Sequence, residues 1–399
     1  MNSADLPAPF ITPDASATDD AEAIQGAVDR AAAQGGTAVV PTVNVRTGQE
    51  GWLIRRAVLL PDNARVLLDG SRLTLAEGAM DNFFRSANAF SGEARELHGI
   101  HIRGRAGAVL AGGPPNGLCE ATSLKDGRPH VRRNCPILLA NVRDFAIEGL
   151  EIRDQQYWGV CLEYCSHGRL ASLRFVAHHD RNNQDGIDLR DGCHHILIEG
   201  ISGQTGDDMI ALSAIDATPR SAVGIGSPDI HDIKIRNVTG AAQNHPLLAL
   251  RNHNGSRLYA IRATGLRDTP FEEPARGDDQ PRYGLVRIGN NHYFSSRPSE
   301  MGETADIVLR DLDASHSLRG IVLAATVQDL RVDGLRCHGI CAAAITTDGP
   351  LWAGELGVKA ERLVATNVIM ETPGGRLADF TAMRPGDYIA SSTVNGLTV

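Results

Sequence analysis

Two short runs in the middle of the chain, Asn183-Gln184-Asp185-Gly186-Ile187-Asp188 and Gly206-Asp207-Asp208-Met209-Ile210, place carboxylates directly ahead of alternating apolar residues. Aligned on Ile187, Ile210, Leu248 and Val286, the chain puts Asp185 and Asp208 at one offset, two positions earlier. Gln184, Asp207, His245 and Tyr283 fall three positions earlier, and Asp188, Ala211, Ala249 and Arg287 one position later. Asn and Asp are ordinary turn residues, which accounts for any one of these acids alone. It does not account for acids at one offset in consecutive stacked segments, where like charges about 5 Å apart repel and raise each other's pKa. Such repulsion is a mark of functional sites. A close set of carboxylates is what glycoside hydrolysis needs, one protonated acid for the leaving oxygen and one ionised base for water.

The elements that must hold these residues are short and repetitive. An apolar pair at i and i+3 recurs at Ile147/Leu150, Leu170/Leu173, Ile198/Ile201, Ile235/Val238, Leu309/Leu312 and Val332/Leu335. After each comes an alternating pair: Val160/Leu162, Ile187/Leu189, Ile210/Leu212, Leu248/Leu250, Val286/Ile288 and Ile321/Leu323. Successive alternating pairs lie 27, 23, 38, 38 and 35 residues apart, a unit of 23 to 28 with loop insertions of about ten. Units of two or three short strands with no helix between them predict an all-β, single-domain right-handed parallel β-helix, a solenoid over residues 1–399. A sandwich of short strands would show regular Asn-Gly hairpin signals, and these are sparse. The one helical pattern is N-terminal. Asp19 caps it with Glu22 three residues on, Ile24, Ala27, Val28 and Ala31 follow at helical spacing, and Gly35-Gly36 stops it. A helix over about 17–36 would cap the first coil, with the coils running over about 37–399.

Composition narrows the partners. The chain has 399 residues, 39 Lys+Arg against 48 Asp+Glu, and a net charge of −9 with no basic run, which argues against nucleic acid. No basic-then-apolar leader opens the chain and no apolar stretch is long enough for a membrane span. A cytoplasmic location is expected from the chain as given, or a secreted one if a leader was removed. The seven cysteines lack paired CxxC spacing and are expected to be reduced and buried. Adjacent histidines on a strand should point to opposite faces, so His178-His179-Asp180 and His194-His195 make poor chelates, and neither metal nor cofactor is expected.

The run from Asn183 to Asp188, followed by Thr205-Gly206-Asp207-Asp208-Met209-Ile210-Ala211-Leu212, resembles the NTDGID and TGDDCIAI signatures of the polygalacturonase family, the family 28 glycoside hydrolases. Trp158-Gly159-Val160 resembles that family's preceding coil, and Asp19 to Gly36 resembles the N-terminal cap of pectin-degrading β-helices. The specific motifs cover about 160–290. The resemblance implies Asp207 as general acid, Asp185 with Asp208 activating water for inversion, His245 in the family's Gly-His-Gly coil, and Arg287 contacting substrate at the scissile junction. Three positions depart from the pattern: Gln184 stands for Thr, Asn244-His245-Pro246 for Gly-His-Gly, and Gly289 for a Lys that binds a substrate carboxylate.

Arg251 follows Leu250 on the same face and is expected to contact substrate or to pair with Glu163 and Arg190 in its ladder. Asp188 and Gln184 are candidate substrate contacts, and Trp158, Tyr157, Tyr283, Tyr293 and Phe294 are candidate sugar platforms. Insertions at 214–231 and 266–283, the second acidic through Phe271-Glu272-Glu273 and Asp278-Asp279, are long enough to wall one end of a groove, which favours exo-action. The expected partner is an oligosaccharide or polysaccharide of plant cell-wall (pectic) or related origin. Flat flanks leave room for a homo-oligomer. A polysaccharide lyase or epimerase, a fructosyl transferase, or a non-catalytic carbohydrate-binding β-helix remains open on the same fold.

Overall fold

Residues with positive φ recur at the bends of the chain and set its architecture. The computed structural model describes residues 7–399 apart from 120–121, 123–129, 179, 216–220, 222, 273–282, 290–296, 298, 348–357 and 384–385. Ser172, Gly200, Asn237, Gly265, Asp311, Gly334 and Asn367, with φ of 52, 65, 54, 73, 52, 84 and 55°, form one column of corners. Each follows a residue paired in parallel register with its neighbours, from Ala171 through Glu199, Arg236, Thr264, Arg310 and Asp333 to Thr366. Gly, Asn and Asp are the residues that enter this region with least strain, which explains their abundance between the apolar repeats.

A second column has less ordinary occupants. His167, His195, Asp232, Ala260, Asp306, Asp329 and Arg362 have φ of 55, 54, 54, 55, 50, 55 and 55°. The expectation that adjacent histidines diverge fails here, because strict alternation requires extended backbone on both sides and these residues leave it. Neighbours converge instead, so that His231 Nδ1 lies 2.7 Å from Asp232 Oδ2.

Between the corners the strands stack in parallel. An eleven-stranded sheet runs in chain order from Val58–Leu60 to Arg376–Asp379. Its inward rung is Val58, Phe84, Ile137, Val160, Ile187, Ile210, Leu248, Val286, Ile321 and Ile345, all fully buried. The apolar pairs at i and i+3 join them in one core that extends from Ala23 to Val394. This is the right-handed parallel β-helix that the repeat predicts. Six of the seven cysteines are buried, four of them in this core, and none forms a disulfide. Among the described residues no helix is long and apolar enough to cross a membrane.

The helix Asp20–Gln34 lies over the first coils. Asp19 is its N-cap, accepting from the Glu22 N–H at 2.8 Å, and Gly35 closes it at φ 67°. Ala23, Ile24, Ala27, Val28 and Ala31 are buried against the coil beneath. A buried charge fastens helix to coil: the Asp20 carboxylate accepts from Asn44 Nδ2 at 2.9 Å and from the Leu53 N–H at 2.7 Å, and pairs with Arg46. Asp20→Ala leaves those donors unmet, and unfolding in urea should show a loss of about 3 kcal/mol. A loss under about 0.5 kcal/mol would mean that the apolar face alone holds the cap.

Candidate functional site

The strands Ile187–Arg190 and Ile210–Ala214 pair in register, Ile187 opposite Ile210 and Leu189 opposite Leu212. The hydrogen-bond ladder continues upstream of both. The Gly159 N–H donates to the Asp185 carbonyl at 2.9 Å, and the Gly186 N–H donates to the Asp208 carbonyl at 2.9 Å. Gly186 is required for that approach, since a Cβ there would lie 2.4 Å from the Met209 carbonyl oxygen. Backbone pairing therefore stacks Asp185 on Asp208, as the alignment of offsets predicts.

Each carboxylate has different surroundings. Asp185 and Asp208 are buried, at 3% and 0% exposure, while the side chain of Asp207 is 15% exposed and is the most open of the three. His245 Nδ1 lies 2.9 Å from Asp207 Oδ1 and 3.7 Å from Asp208 Oδ1. Arg251 Nη2 forms an ion pair with Asp208 Oδ2. Burial opposes ionisation of Asp208, but Arg251 and His245 outweigh it and hold its carboxyl below the usual range. Burial pushes Asp185 well up, helped by the negative charge of Asp207, Asp188 and Asp208. Asp188 is also pushed well up by burial, which Arg190 offsets only in part. Burial would lower His245, yet Asp207 and Asp208 push it up to about 10, so its imidazole is cationic at neutral pH. Stacked like charges are thus pushed in opposite directions, towards the protonated form on the Asp185 side and towards ion pairs on the Asp208 side.

Other predicted residues fall around this group. Arg251 stands in the ladder after Arg190 and Ser213, as expected, but its ion-pair partner is Asp208. Glu163 pairs instead with Arg132, a residue that sequence reasoning missed because it lies in a short 3₁₀ turn, Val131–Asn134, outside the repeat. Trp158 is buried, with the Arg190 guanidinium 4.7 Å and the Arg132 guanidinium 5.5 Å from its ring centroid, so it offers no open face. Tyr157 packs on it at 4.5 Å between centroids. Gln184 is fully buried and donates to the Gln155 carbonyl at 3.0 Å, which makes it a rung within the turn and takes it away from any groove. Tyr283 is partly buried beside the Arg319 guanidinium, 5.6 Å from its ring. Tyr293, Phe294, Asp278, Asp279 and His179 lie outside the described residues.

Arg287 sits on the same outward row as Asp188, with Ala211 and Ala249 between. Three rungs separate the two, about 14 Å at the spacing of paired strands. Gly289 follows Arg287 with φ 95°, and a Cβ there would meet the Ala325 Cβ at 2.1 Å. No side chain can stand at that position, which gives the departure from Lys a backbone cause.

Both insertions touch the coils at points the structure describes. In residues 214–231, Ser221 donates its N–H to Glu163 at 3.0 Å and accepts from the Phe90 N–H at 2.7 Å, while the Val223 carbonyl accepts from Asn141 Nδ2 at 2.8 Å. Ser221 and Val223 thus lie against earlier coils. In residues 266–283, Glu272 pairs with Arg174 and its N–H donates to Gln204 Oε1 at 3.0 Å. The donors of Asp207, Asp208 and His245 also lie within 4.8 Å of one another, a spacing that suits a cation. Arg251 and cationic His245 already answer that charge, and a metal would have to displace Arg251 and take the place of the His245 proton.

No protein-family model and no curated protein matches the chain by sequence. Solved structures do match in fold. The endo-xylogalacturonan hydrolase from Aspergillus tubingensis is 13% identical, with 97% of this chain and 100% of that chain covered and a TM-score of 0.59. A polygalacturonase from Erwinia carotovora ssp. carotovora is 13% identical, with 95% and 96% covered and a TM-score of 0.60. A hyperthermoactive exopolygalacturonase from Thermotoga maritima is 15% identical, with 92% of each chain covered and a TM-score of 0.54. At these identities the likeness is one of fold.

The raised carboxyl makes a testable statement about stability. A group whose folded pKa is raised binds more protons folded than unfolded, so the fold loses stability as pH climbs above the unfolded value of about 3.9. Asp185→Asn removes that penalty. Its unfolding free energy at pH 7 should exceed the wild type's by about 1 kcal/mol or more, and the gain should vanish near pH 3.5. A variant less stable than wild type at pH 7 would contradict the assignment.

Proposed function

We propose that this protein is an inverting glycoside hydrolase that removes sugar units from the end of an oligosaccharide of pectic origin. The observation that carries the reading is the stacked pair Asp185 and Asp208 with open Asp207 beside them, held in opposite protonation tendencies by burial on one side and by Arg251 and His245 on the other. Hydrolysis of a glycosidic bond needs carboxyls of differing protonation tendency close together, which this group supplies. The fold-level likeness to enzymes whose names specify polygalacturonase and xylogalacturonan hydrolase supports the substrate class.

In this reading Asp207, the carboxyl most open to a ligand, protonates the leaving oxygen. Asp208, kept ionised by Arg251, takes the proton of the attacking water, with Asp185 beside it. His245 holds Asp207 in place. Buried Arg287, three rungs along the row, meets a carboxylate or hydroxyl of the neighbouring sugar. The wall built by Ser221 and Val223 over the earlier coils favours release of terminal units.

A second assignment is favoured by one feature: burial pushes Asp185 towards its protonated form, which would make Asp185 the acid and Asp207 a base. Of the two guanidines a lyase could use with His245, Arg251 and Arg287, the first is tied to Asp208.

Incubation with a panel of pectic oligosaccharides, reading reducing ends together with near-ultraviolet absorbance, separates the classes. Reducing ends without absorbance, with monosaccharide as the first product, is the expected result; unsaturated product would replace hydrolysis with elimination, and long first products would remove exo-action. Asp207→Asn should lower kcat/KM by about 10³-fold or more on natural glycosides while keeping most of the rate on substrates whose leaving group needs no proton. The same selective rescue in Asp185→Asn would move the acid there.

A further inference from the structure

Among the described residues, a second convergence of metal-ligating side chains lies away from the carboxylate cluster: His195, His231 and Asp232, with one donor atom of each within 4.8 Å of the others. Asp185 and Asp208 precede the strands Ile187–Arg190 and Ile210–Ala214, whereas His194 and His231 are the first and second residues of the strands that follow, His194–Thr205 and Ile230–Ala242. The two groups therefore sit at opposite ends of the same strands.

The register builds this second group. His194 pairs with His231, and His231 with Tyr259, so these three form a column up the coils. The next residue on each of the first two coils, His195 and Asp232, turns into the left-handed region at φ 54° and brings its side chain round beside the first column. The result is a stack of rings: His167 lies flat on His195 at 4.8 Å and 2°, His194 lies 4.9 Å from His231 and 5.1 Å from His195, and His231 lies flat on Tyr259 at 5.0 Å and 11°. Asp232 Oδ2 is the common point, 2.7 Å from His231 Nδ1 and 3.8 Å from His195 Nε2.

We infer that His195, His231 and Asp232 form a binding site for a divalent transition-metal ion of the zinc class, bridging two successive coils. Two imidazole nitrogens and one carboxylate oxygen make a donor set suited to Zn²⁺, Co²⁺ or Ni²⁺ and poorly suited to Mg²⁺ or Ca²⁺. Donors ~2.0–2.1 Å from a tetrahedral metal lie about 3.3 Å apart, between the two separations to Asp232 Oδ2. The small closure needed falls on the two more exposed side chains, His195 and Asp232, at 50% and 48% exposure. His194, packed on both histidines with Nδ1 enclosed and without a hydrogen-bond partner, is placed to orient them. The ligands stand on both sides of an inserted loop: His195 belongs to the coil before residues 214–231, and His231 with Asp232 to its exit. A bound ion would tie the foot of the wall to the preceding coil.

The test is calorimetric titration of the untagged full chain with ZnSO₄ at pH 7.5, with MgCl₂ as control, and the visible spectrum of the Co²⁺ form. One ion per chain, a Kd in the micromolar range and a Co²⁺ band are expected, with affinity falling about tenfold or more in both His195→Ala and His231→Ala. His195 is exposed and His231 is partly buried between two rings, so unchanged circular dichroism in both variants checks the fold. Asp207→Asn should bind Zn²⁺ as the wild type does. The proposal is overturned by binding that survives both histidine variants, by loss of binding in Asp207→Asn, which would assign the ion to the carboxylate cluster, or by no saturable uptake below about 100 μM. These readouts do not depend on turnover, so failure of the hydrolase reading would leave them standing.

Discussion

Each coil hydrogen-bonds to the next at every rung, and that constraint governs the rest of the molecule. It allows one inward residue type, which is why the rung from Val58 to Ile345 is apolar and fully buried. It forces a corner residue of positive φ at the same place in successive coils. It also makes any residue repeated at one offset a neighbour of itself about 5 Å away. For valine or isoleucine that repetition is packing, and for aspartate it is electrostatic conflict. Asp185 above Asp208 is the place where the conflict is strongest, and burial, Arg251 and His245 resolve it by giving the two carboxyls opposite tendencies.

Much of this was legible in the sequence because a solenoid converts spacing into geometry. The alignment on Ile187, Ile210, Leu248 and Val286 is the observed register, so the stacking of Asp185 on Asp208 and the row from Asp188 to Arg287 follow from counting residues. Asp19 as the N-cap was equally readable, since a cap is a local matter. Contacts made by segments outside the repeat were not readable. Arg132 reaches Glu163 and Trp158 from a turn with no periodic signal, and so Trp158, which sequence offers as a sugar platform, lies under two guanidiniums. Gln184 occupies an offset shared with Asp207 and His245, yet its longer side chain bends back to the Gln155 carbonyl. Offset fixes where a Cα sits, while length and neighbours decide where the side chain goes.

The histidine corner shows the same limit from another side. Alternation along a strand separates His194 from His195 only while both are extended. The corner column places His195 and Asp232 at φ 54°, and the neighbours meet. Histidine and aspartate both enter positive φ more readily than most residues, but neither type marks which copy of it does so. Only the parallel with Asp144, Asp306 and Asp329, whose φ values are 58, 50 and 55°, could have suggested it.

The central claim is that two carboxyls stacked on adjacent rungs have been driven to opposite protonation states before any substrate arrives. Carboxyl-carbon NMR of ¹³C-aspartate-labelled protein, with Asp185→Asn and Asp208→Asn used to assign the signals, measures this directly. The account predicts that Asp185 keeps the shift of a protonated acid at pH 7 while Asp208 keeps that of a carboxylate below pH 3.8, its ordinary value. Titration of both together near that ordinary value would contradict it.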